Sequence, residues 1–191
     1  MCARYYMDSG LYDDIEPLVG RIPEERRYQG DVRPSDMPLV ITADKEPKAA
    51  YDIAWGYPRI NGKGLIINAR AETIEEKATF RNGIARNRCL LPSRSFYEWD
   101  SEKNKVAFSL ENSKPLFLAG CYDDFKGGRH FTIITTAANE SVISVHERMP
   151  LIIREDDIEE WLLTERYNLL FKKPMPELNV YRAYEQLQFD F

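Results

Sequence analysis

The apolar residues of this chain occur in short runs, and this feature limits the folds that are open to it. Residues 65–67 and 151–153 are typical runs, and Gly and Pro residues are scattered along the chain as turn markers. Runs this short are typical of strands and are far too short to cross a bilayer. The pattern therefore predicts many short strands and few long helices.

The predicted elements combine into an α+β fold. We expect strands near residues 2–6, 37–42, 65–67, 89–99, 106–110, 116–119, 131–136 and 151–153. We expect a weak helical or irregular segment at residues 11–28, interrupted by Pro17 and Pro23, a turn at residues 55–58, and a short helix with an acidic first turn at residues 155–163. Another helix should begin near Thr73, because Thr73 and Glu76 have the spacing of a capping box. Together these elements predict a curled, largely antiparallel, barrel-like sheet with flanking helices.

The length and the cysteines indicate the broad class of protein. A chain of 191 residues with 43% hydrophobic content suits one domain over residues 1–191, with the motifs below inside residues 1–163 and a C-terminal extension at 164–191. The three cysteines are widely spaced, which favours neither a disulfide framework nor a zinc site. The N-terminus has no secretory signal. We expect a cytoplasmic monomer that uses no metal, no cofactor and no membrane.

The charge distribution leaves nucleic acid open as a partner. The net charge of −5 argues weakly against it. The acidic residues cluster in pairs, however, and the arginines cluster elsewhere, so a local basic groove is compatible with the sequence. The clustered arginines are Arg81, Arg86, Arg88 and Arg94.

Cys2 is the first candidate for chemistry. Loss of Met1 leaves a 1,2-aminothiol whose α-amine has a reference pKa of about 8, against about 10.4 for lysine. The neutral amine attacks an aldehyde, and the thiol then closes a five-membered thiazolidine ring. The same group is a nucleophile toward amides or esters. The alternative is an incidental cysteine near a frayed terminus.

Glu98 and His146 are candidates for proton transfer. Phe96 and Glu98 share one face of a strand, so Glu98 is expected to be partly buried with a raised pKa, which suits general acid–base work. The alternative is an edge-strand carboxylate paired with Arg94. His146 lies in a segment between two predicted strands and ahead of Pro150, where loop residues often line sites. The alternative there is a structural histidine. The other histidine, His130, is expected in an exposed turn.

Asn68 and Arg70 follow an apolar strand and precede the predicted helix. A polar pair in this position can bind an anion or orient a substrate. The alternative is that Asn68 bonds a turn and Arg70 pairs with Glu72.

Seven motifs in one order resemble a known family, the SOS-response-associated peptidases that crosslink to abasic sites in single-stranded DNA. The resemblance covers residues 1 to about 163. The motifs are Met1-Cys2-Ala3-Arg4-Tyr5, Trp55-Gly56-Tyr57-Pro58, Asn68-Ala69-Arg70-Ala71-Glu72-Thr73, Arg88-Cys89-Leu90-Leu91-Pro92, Phe96-Tyr97-Glu98-Trp99, Thr135-Thr136-Ala137-Ala138-Asn139 and His146-Glu147-Arg148-Met149-Pro150.

The resemblance implies a reaction and roles for these residues. Met1 is removed, with removal by the protein itself as one route, and Cys2 captures the ring-opened aldehyde as a stable thiazolidine that shields the lesion. Asn68 holds the Cys2 amine and the sugar, Glu98 shuttles protons, and His146 assists ring opening. It implies phosphate contacts from Arg4, Arg70 and Arg148. The class implied is an abasic-site processing enzyme of SRAP-like fold with peptidase-like and lyase-type chemistry.

Departures from the family pattern concern the surroundings of Cys2. Ala3 and Ser95 stand where glycine is usual, and residues 30–34 carry Asp31 and Arg33, which we expect to alter the electrostatics of a DNA groove.

Two other functions remain open from the sequence. One is an N-terminal-nucleophile thiol peptidase or amidohydrolase with Cys2 as nucleophile and His146 as base. The other is a non-catalytic single-strand binder that stacks bases on Trp55 and Trp99.

The chain ends in alternating apolar residues, Leu187, Phe189 and Phe191, after Gln186. Residues 186–191 resemble the peptides with which bacterial repair proteins dock onto the DNA sliding clamp. The same alternation suits a final strand of the domain's own sheet, which is the reading that the pattern slightly favours.

Overall fold

The computed structural model describes residues 2–43, 46–59 and 63–182, and strands dominate it. Three α-helices and several 3₁₀ turns accompany the strands in this part of the chain. In chain order the elements are β1 (Tyr5–Met7), α1 (Ser9–Val19), β2 (Gly30–Val32), β3 (Val40–Ala43), β4 (Pro47–Ala50), β5 (Ile53–Trp55), β6 (Tyr57–Pro58), β7 (Leu65–Ile66), β8 (Asn68–Arg70), α2 (Ala78–Arg86), β9 (Arg88–Ser93), β10 (Ser95–Trp99), β11 (Lys105–Ser109), β12 (Leu116–Phe125), β13 (Gly128–Ala137), β14 (Arg148–Pro150), β15 (Ile152–Ile153), α3 (Ile158–Leu163) and β16 (Asn179–Arg182). The 3₁₀ turns are Glu24–Arg26, Ala71–Thr73, Glu111–Ser113, Glu155–Asp157 and Tyr167–Lys172.

The strands form two main sheets, and most pairings are antiparallel. The five-stranded sheet has the order β16-β11-β10-β1-β2. The nine-stranded sheet has the path β14-β13-β12-β9-β3-β4, with β15 on β12 and with β5 and β8 pairing parallel to β13. The α+β prediction is confirmed. The barrel-like expectation is wrong in one respect, because neither sheet closes on itself within the described residues.

The inner faces of the two sheets meet in one apolar core. Tyr5 of the first sheet lies with its ring centroid 5.5 Å from that of Trp55 of the second sheet, and both side chains are fully buried. Phe96 and Phe108 stack on neighbouring strands with centroids 5.1 Å apart. This packing fixes β1, and with it the segment that carries Cys2, against β10.

Residues 89–99 form two strands rather than the one predicted. The chain leaves the nine-stranded sheet after β9 and enters the five-stranded sheet with β10, and Arg94 lies between them. Its backbone N–H donates to Tyr6 O, and its guanidinium pairs with Asp8 at 3.0 Å and Asp14 at 2.6 Å. The polar residues Ser93, Arg94 and Ser95 interrupt the apolar pattern at this crossing, a break that the single predicted strand overlooked.

The predicted helix at Thr73 is also displaced. The α-helix begins at Ala78 with Lys77 at its N-cap and no side-chain capping bond. Thr73 instead accepts backbone bonds from Glu76 and Lys77 through its carbonyl, in a turn that follows a short 3₁₀ segment. The capping-box prediction is therefore wrong.

The region around residues 55–67 differs in two ways from its prediction. Residues 55–58 contain the end of β5 and all of β6, separated by Gly56 with φ +109°, where an added Cβ would lie 2.8 Å from Leu65. The strand predicted at residues 65–67 forms as β7, but it is only half-buried and pairs with β6 in a small sheet of its own. Glycine is needed at position 56 because other residues rarely adopt this φ.

The C-terminal extension contributes to the fold as far as Arg182. Leu170 and Leu178 are buried in the core, and β16 pairs with β11. Residues 186–191 lie outside the described residues. No helix of the described chain has the length and apolar character needed to span a membrane.

Candidate active site

Cys2 lies buried beside the start of the five-stranded sheet. The segment before β1 runs along β10, where Tyr97 N–H donates to Arg4 O at 3.0 Å. The Cys2 side chain is fully buried, and its Sγ lies 3.7 Å from Arg4 O. Burial and then the charge of Glu98 raise the pKa of the Cys2 thiol far above its usual value. The sulfur is therefore a protonated thiol at neutral pH.

Asn68 connects the second sheet to the residue that carries this thiol. Its Nδ2 donates to the backbone carbonyl of Cys2 at 2.9 Å. The sequence predicts that Asn68 holds the Cys2 amine; in the structure it contacts the carbonyl of the same residue. The Oδ1 atom is buried and has no hydrogen-bond partner among the described residues. A buried acceptor of this kind is available to a ligand, since leaving it unpaired costs free energy.

Glu98 is buried on the inner face of β10, with 2% of its surface exposed. Burial is the largest influence on its carboxyl and raises its pKa, and the positive charge of His146 is among the influences that oppose this. The alternative of a surface pair with Arg94 is wrong, because Arg94 is occupied by Asp8 and Asp14. A carboxyl of raised pKa beside Cys2 is suited to giving and taking protons near neutrality.

His146 is oriented by the backbone of its own loop. The backbone N–H of Arg148 lies 2.9 Å from His146 Nδ1, and the carbonyl oxygen of Arg148 lies 3.2 Å from the same nitrogen. Both contacts engage Nδ1 and set the plane of the ring. Positive charge on His146 lowers the pKa of Glu98, so the two side chains belong to the same site.

His130 lies in β13 and not in an exposed turn as predicted. Its Nδ1 is 2.7 Å from Gly56 O, and its ring meets Phe125 edge-on at 5.5 Å. The Gly-rich sequence before it forms the hairpin that joins β12 and β13, and His130 pairs with Asp123, two pairs in from the Phe125–Gly128 pair that closes the hairpin.

The two arginines near β8 have different environments. Arg148 makes a two-pronged bond to Glu72, at 2.7 and 2.9 Å, and also donates to Thr135 O at 2.7 Å. These bonds lower the pKa of Glu72. Arg70 is exposed and forms no ion pair with any described residue. The alternative that Arg70 pairs with Glu72 is therefore wrong, and Arg70 is the more accessible cation.

Arg4 lies between a carboxylate and an aromatic ring. Its Nη1 is 3.4 Å from Asp31 Oδ2, and its guanidinium carbon is 5.3 Å from the centroid of Trp99. The carboxylate of Asp31 therefore partly offsets the positive charge of Arg4.

Trp55 does not present a surface for stacking. The side chain is fully buried between Tyr5 and Phe131, and its Nε1 donates to Ile67 O at 3.0 Å. No ring face is accessible to a base, so the expectation that Trp55 binds DNA is wrong. The apolar residues Ile53 and Ala54 before it were the signal for a core strand.

The described residues hold no cluster of three or more His, Cys, Asp or Glu side chains that is arranged to bind a metal ion.

Comparison with known proteins identifies the family. Residues 1–187 match the family described as SOS response associated peptidase (SRAP). The abasic site processing protein YoaM of Bacillus subtilis (strain 168) is 34% identical over 179 residues, which cover 85% of this chain and 79% of YoaM. YoqW of the same strain, also named an abasic site processing protein, is 34% identical over 179 residues, which cover 85% of this chain and 80% of YoqW.

The chain belongs to the SRAP family. Its fold agrees with the crystal structure of a protein from Bordetella bronchiseptica, with a TM-score of 0.80 and 22% identity over 95% of this chain and 99% of the other. The SRAP match extends to residue 187 and so includes β16, which the sequence analysis placed in an extension.

Sequence reasoning missed the Glu72–Arg148 pair and the Asp31–Arg4 pair. Glu72 stands in the same motif as Asn68 and Arg70, which was a signal for a shared site. The choice of partner depends on the parallel pairing of β8 with β13, which no local pattern predicts.

Proposed function

We propose that this chain captures abasic sites in single-stranded DNA covalently, through the amine and thiol of Cys2 after Met1 has been removed. The observation that carries the proposal is the convergence on Cys2 of the Asn68 amide, at 2.9 Å from its carbonyl, and of the buried Glu98 carboxyl. The names of its SRAP relatives supply the substrate class.

The reaction begins with the opening of the sugar ring. His146 gives a proton to the ring oxygen, the bond between that oxygen and C1′ breaks, and the C1′ hydroxyl releases its proton to water as the aldehyde forms. The neutral Cys2 amine adds to the aldehyde carbon, and a proton passes from the nitrogen to the new oxygen to give a carbinolamine. Glu98 protonates the departing hydroxyl, and one water leaves as the iminium forms. This step requires a carboxyl that is still protonated near neutral pH, which its raised pKa supports.

The thiol completes the ring. The carboxylate left on Glu98 takes the proton of the Cys2 thiol as sulfur bonds to the iminium carbon. The nitrogen keeps one hydrogen, and the product is a five-membered thiazolidine that joins protein and DNA. The closed ring leaves no free aldehyde, so the lesion is shielded from strand cleavage and copying.

The thiol state argues against the peptidase alternative. A cysteine nucleophile that attacks peptides works as a thiolate, which needs a lowered pKa. The pKa of Cys2 is raised by burial and by Glu98. Addition to an iminium tolerates a protonated thiol, because Glu98 lies beside it to accept the proton.

Phosphate binding belongs chiefly to Arg70 in this proposal. Its guanidinium is exposed and unpaired among the described residues, whereas Arg148 is engaged by Glu72 and Arg4 by Asp31. Arg4 and Arg148 add charge at the edges of the same site.

The test is a denaturing gel of the protein mixed with a single strand that contains one abasic site. We expect a shifted band that survives heating in detergent, and none with an intact strand of the same sequence. Absence of the band with Met1-free protein would refute the proposal.

Docking of residues 186–191 onto a sliding clamp stays a separate proposal, which rests on their sequence alone. Deletion of these residues should abolish clamp retention and leave thermal stability and crosslinking unchanged. A clear fall in the unfolding temperature would instead assign them to the core.

A further inference from the structure

The loop that carries His146 is a compact turn between β13 and β14, and we call residues 138–147 the His146 loop. A backbone hydrogen bond of 3.0 Å joins its first and last residues. Inside the loop, Val142 N–H donates to Asn139 O at 3.1 Å, and His146 N–H donates to Val142 O at 3.0 Å. Val142 is fully buried. The position of His146 therefore depends on that of Asn139 through two backbone hydrogen bonds.

The C-terminal part of the described chain binds the His146 loop from outside. We call residues 175–182 the β16 segment, because they contain β16. Asn139 Nδ2 donates to Pro176 O at 2.8 Å, and Leu178 N–H donates to Ser141 Oγ at 3.0 Å. Both bonds join the same two segments, so together they fix the beginning of the His146 loop.

An open groove of about 650 Å³ separates other parts of these two segments, and residues of both segments line it. Arg182 Nη2 donates a longer bond, of 3.4 Å, to Ser144 Oγ. A groove of this size leaves few side-chain contacts to hold the two segments together there. The shorter bonds of Asn139 and Ser141 therefore carry much of the connection, and loss of either bond leaves a polar group without its partner.

The β16 segment is in turn fixed to the sheet that carries Glu98. β16 pairs with β11, and β11 pairs with β10. In this register Arg182 lies opposite Val106, and Val106 lies opposite Glu98. The β16 segment therefore connects the His146 loop, which extends from the nine-stranded sheet, to the strands of the five-stranded sheet around Glu98.

We propose that the β16 segment positions His146 for proton transfer, with Asn139 and Ser141 as the positioning residues. His146 and Glu98 come from different sheets, so their relative position depends on what joins the sheets near them. The inference rests on the proposed function for the role of His146 in opening the sugar ring. It also gives a role to Asn139, the last residue of the motif at residues 135–139, which the capture reaction itself does not use.

The test uses variants that break each bond and matched variants that do not. Ser141→Ala removes the acceptor for Leu178 N–H, and Ser141→Thr keeps a hydroxyl at the same position. Asn139→Ala removes the bond to Pro176 O. Asn82→Ala is its control, because the Asn82 side chain makes a bond of similar length, 2.9 Å, at an exposed position. Unfolding temperatures check that each variant is folded.

Each protein, with Met1 removed, is reacted with two single strands under single-turnover conditions. One strand carries an ordinary abasic site, whose sugar ring must open before capture. The other strand carries an open-chain aldehyde, which needs no ring opening. A displaced His146 slows capture of the ring-closed site alone, whereas a general loosening of the fold slows capture of both. The ratio of the two rates therefore separates positioning from structural support.

We expect Ser141→Ala and Asn139→Ala to capture the ring-closed site about tenfold more slowly than the parent, because a displaced proton donor loses its proximity advantage. Both variants should capture the open-chain aldehyde at the parental rate. Ser141→Thr and Asn82→Ala should match the parent on both strands. A parental rate of Ser141→Ala on the ring-closed site, or equal slowing on both strands, would overturn the inference.

A second measurement does not depend on capture. The chain has two histidines, His130 and His146, so their ring signals in an NMR spectrum are readily assigned. Ser141→Ala should move the signals of His146 and leave those of His130 unchanged, and Ser141→Thr should move neither. Unmoved His146 signals in Ser141→Ala would overturn the inference. Failure of the parent to capture either strand, with the expected movement of the His146 signals, would refute only the capture reaction.

Discussion

The side-chain amide of Asn68 donates a hydrogen bond to the backbone carbonyl of Cys2 across 2.9 Å, although 66 positions separate the two residues. Asn68 lies on β8 of the nine-stranded sheet, and Cys2 precedes β1 of the five-stranded sheet. The bond therefore ties the reactive terminus to the sheet opposite its own.

Replacing Asn68 tests whether this bond positions Cys2. Asn68→Asp keeps the size of the side chain and removes the Nδ2 donor, so we expect crosslinking at saturating DNA to slow by about tenfold or more, since misplaced reactants lose much of their proximity advantage. Single-turnover gels measure this rate. Asn82→Asp is the control, because Asn82 makes a similar 2.9 Å bond to Asp123 at an exposed position. Equal crosslinking rates for Asn68→Asp and the parent would show that the Asn68 bond does not position Cys2.

Glu98→Gln separates the chemistry of Glu98 from its effect on stability. The variant keeps the shape of the side chain and removes the titrating proton, so capture should slow by about 10²–10⁴-fold with DNA affinity kept. The folded-state pKa of Glu98 lies above its ordinary value of 4.5, so ionising this carboxyl opposes folding. The contribution of Glu98 to the unfolding free energy therefore falls as pH rises through the interval between the unfolded and folded pKa values.

The pH dependence of stability gives a second measurement on the Glu98→Gln variant. Thermal unfolding of Glu98→Gln and the parent should agree at pH values below the ordinary pKa, and the variant should become the more stable of the two toward neutral pH. A variant that is less stable than the parent at every pH would mean that other groups in the folded protein stabilise the charged Glu98 carboxylate.

Substitutions of Arg70 and Arg148 are expected to have different effects on DNA binding and on stability. Arg70→Ala should weaken binding of any single strand and reduce the slope of log affinity against log salt by about 0.7, with no change in unfolding temperature. Arg148→Ala should lower the unfolding temperature as well, because it removes the bonds to Glu72 and Thr135. Arg129→Ala, on an exposed arginine at the other end of β13, serves as the control. An unchanged salt slope for Arg70→Ala would place the phosphates elsewhere.

Trp55 should matter for stability and not for DNA. Trp55→Phe removes the bond to Ile67 O and leaves a small cavity, so we expect a loss of about 1–3 kcal/mol in the free energy of unfolding. Denaturant titration measures this loss, and anisotropy with a single strand should show unchanged affinity. Weaker DNA binding at full stability would restore the stacking role that burial excludes.

The α+β class and the candidate residues around Cys2 are predictable from the sequence because both depend on local patterns. Short apolar runs give the strands, and the alternation at residues 96–98 gives the burial of Glu98. The partners of charged groups are not predictable in the same way. Arg148 pairs with Glu72, and Arg4 pairs with Asp31, because strand pairing brings distant segments of the chain together.

Trp55 and residues 89–99 show where prediction from local sequence patterns fails. An aromatic side chain beside a glycine turn has the same sequence appearance whether it faces a ligand or the core, and only the packing of Tyr5 and Phe131 decides this. The polar residues Ser93, Arg94 and Ser95 mark a break between β9 and β10, but no local pattern shows that the two strands enter different sheets.

Peptide mapping of the adduct tests the central claim most directly. The protein is reacted with an abasic single strand without borohydride, denatured, digested and analysed by mass spectrometry, with Cys2→Ser as the matched variant and Cys121→Ala as a control for a thiol outside the site. We predict one modified peptide that begins at Cys2, lacks Met1 and carries the strand with the loss of one water. The Cys2→Ser variant should give an adduct only when borohydride is added. A parental adduct on a lysine, or a heat-stable adduct of Cys2→Ser without borohydride, would contradict capture by Cys2 as a thiazolidine.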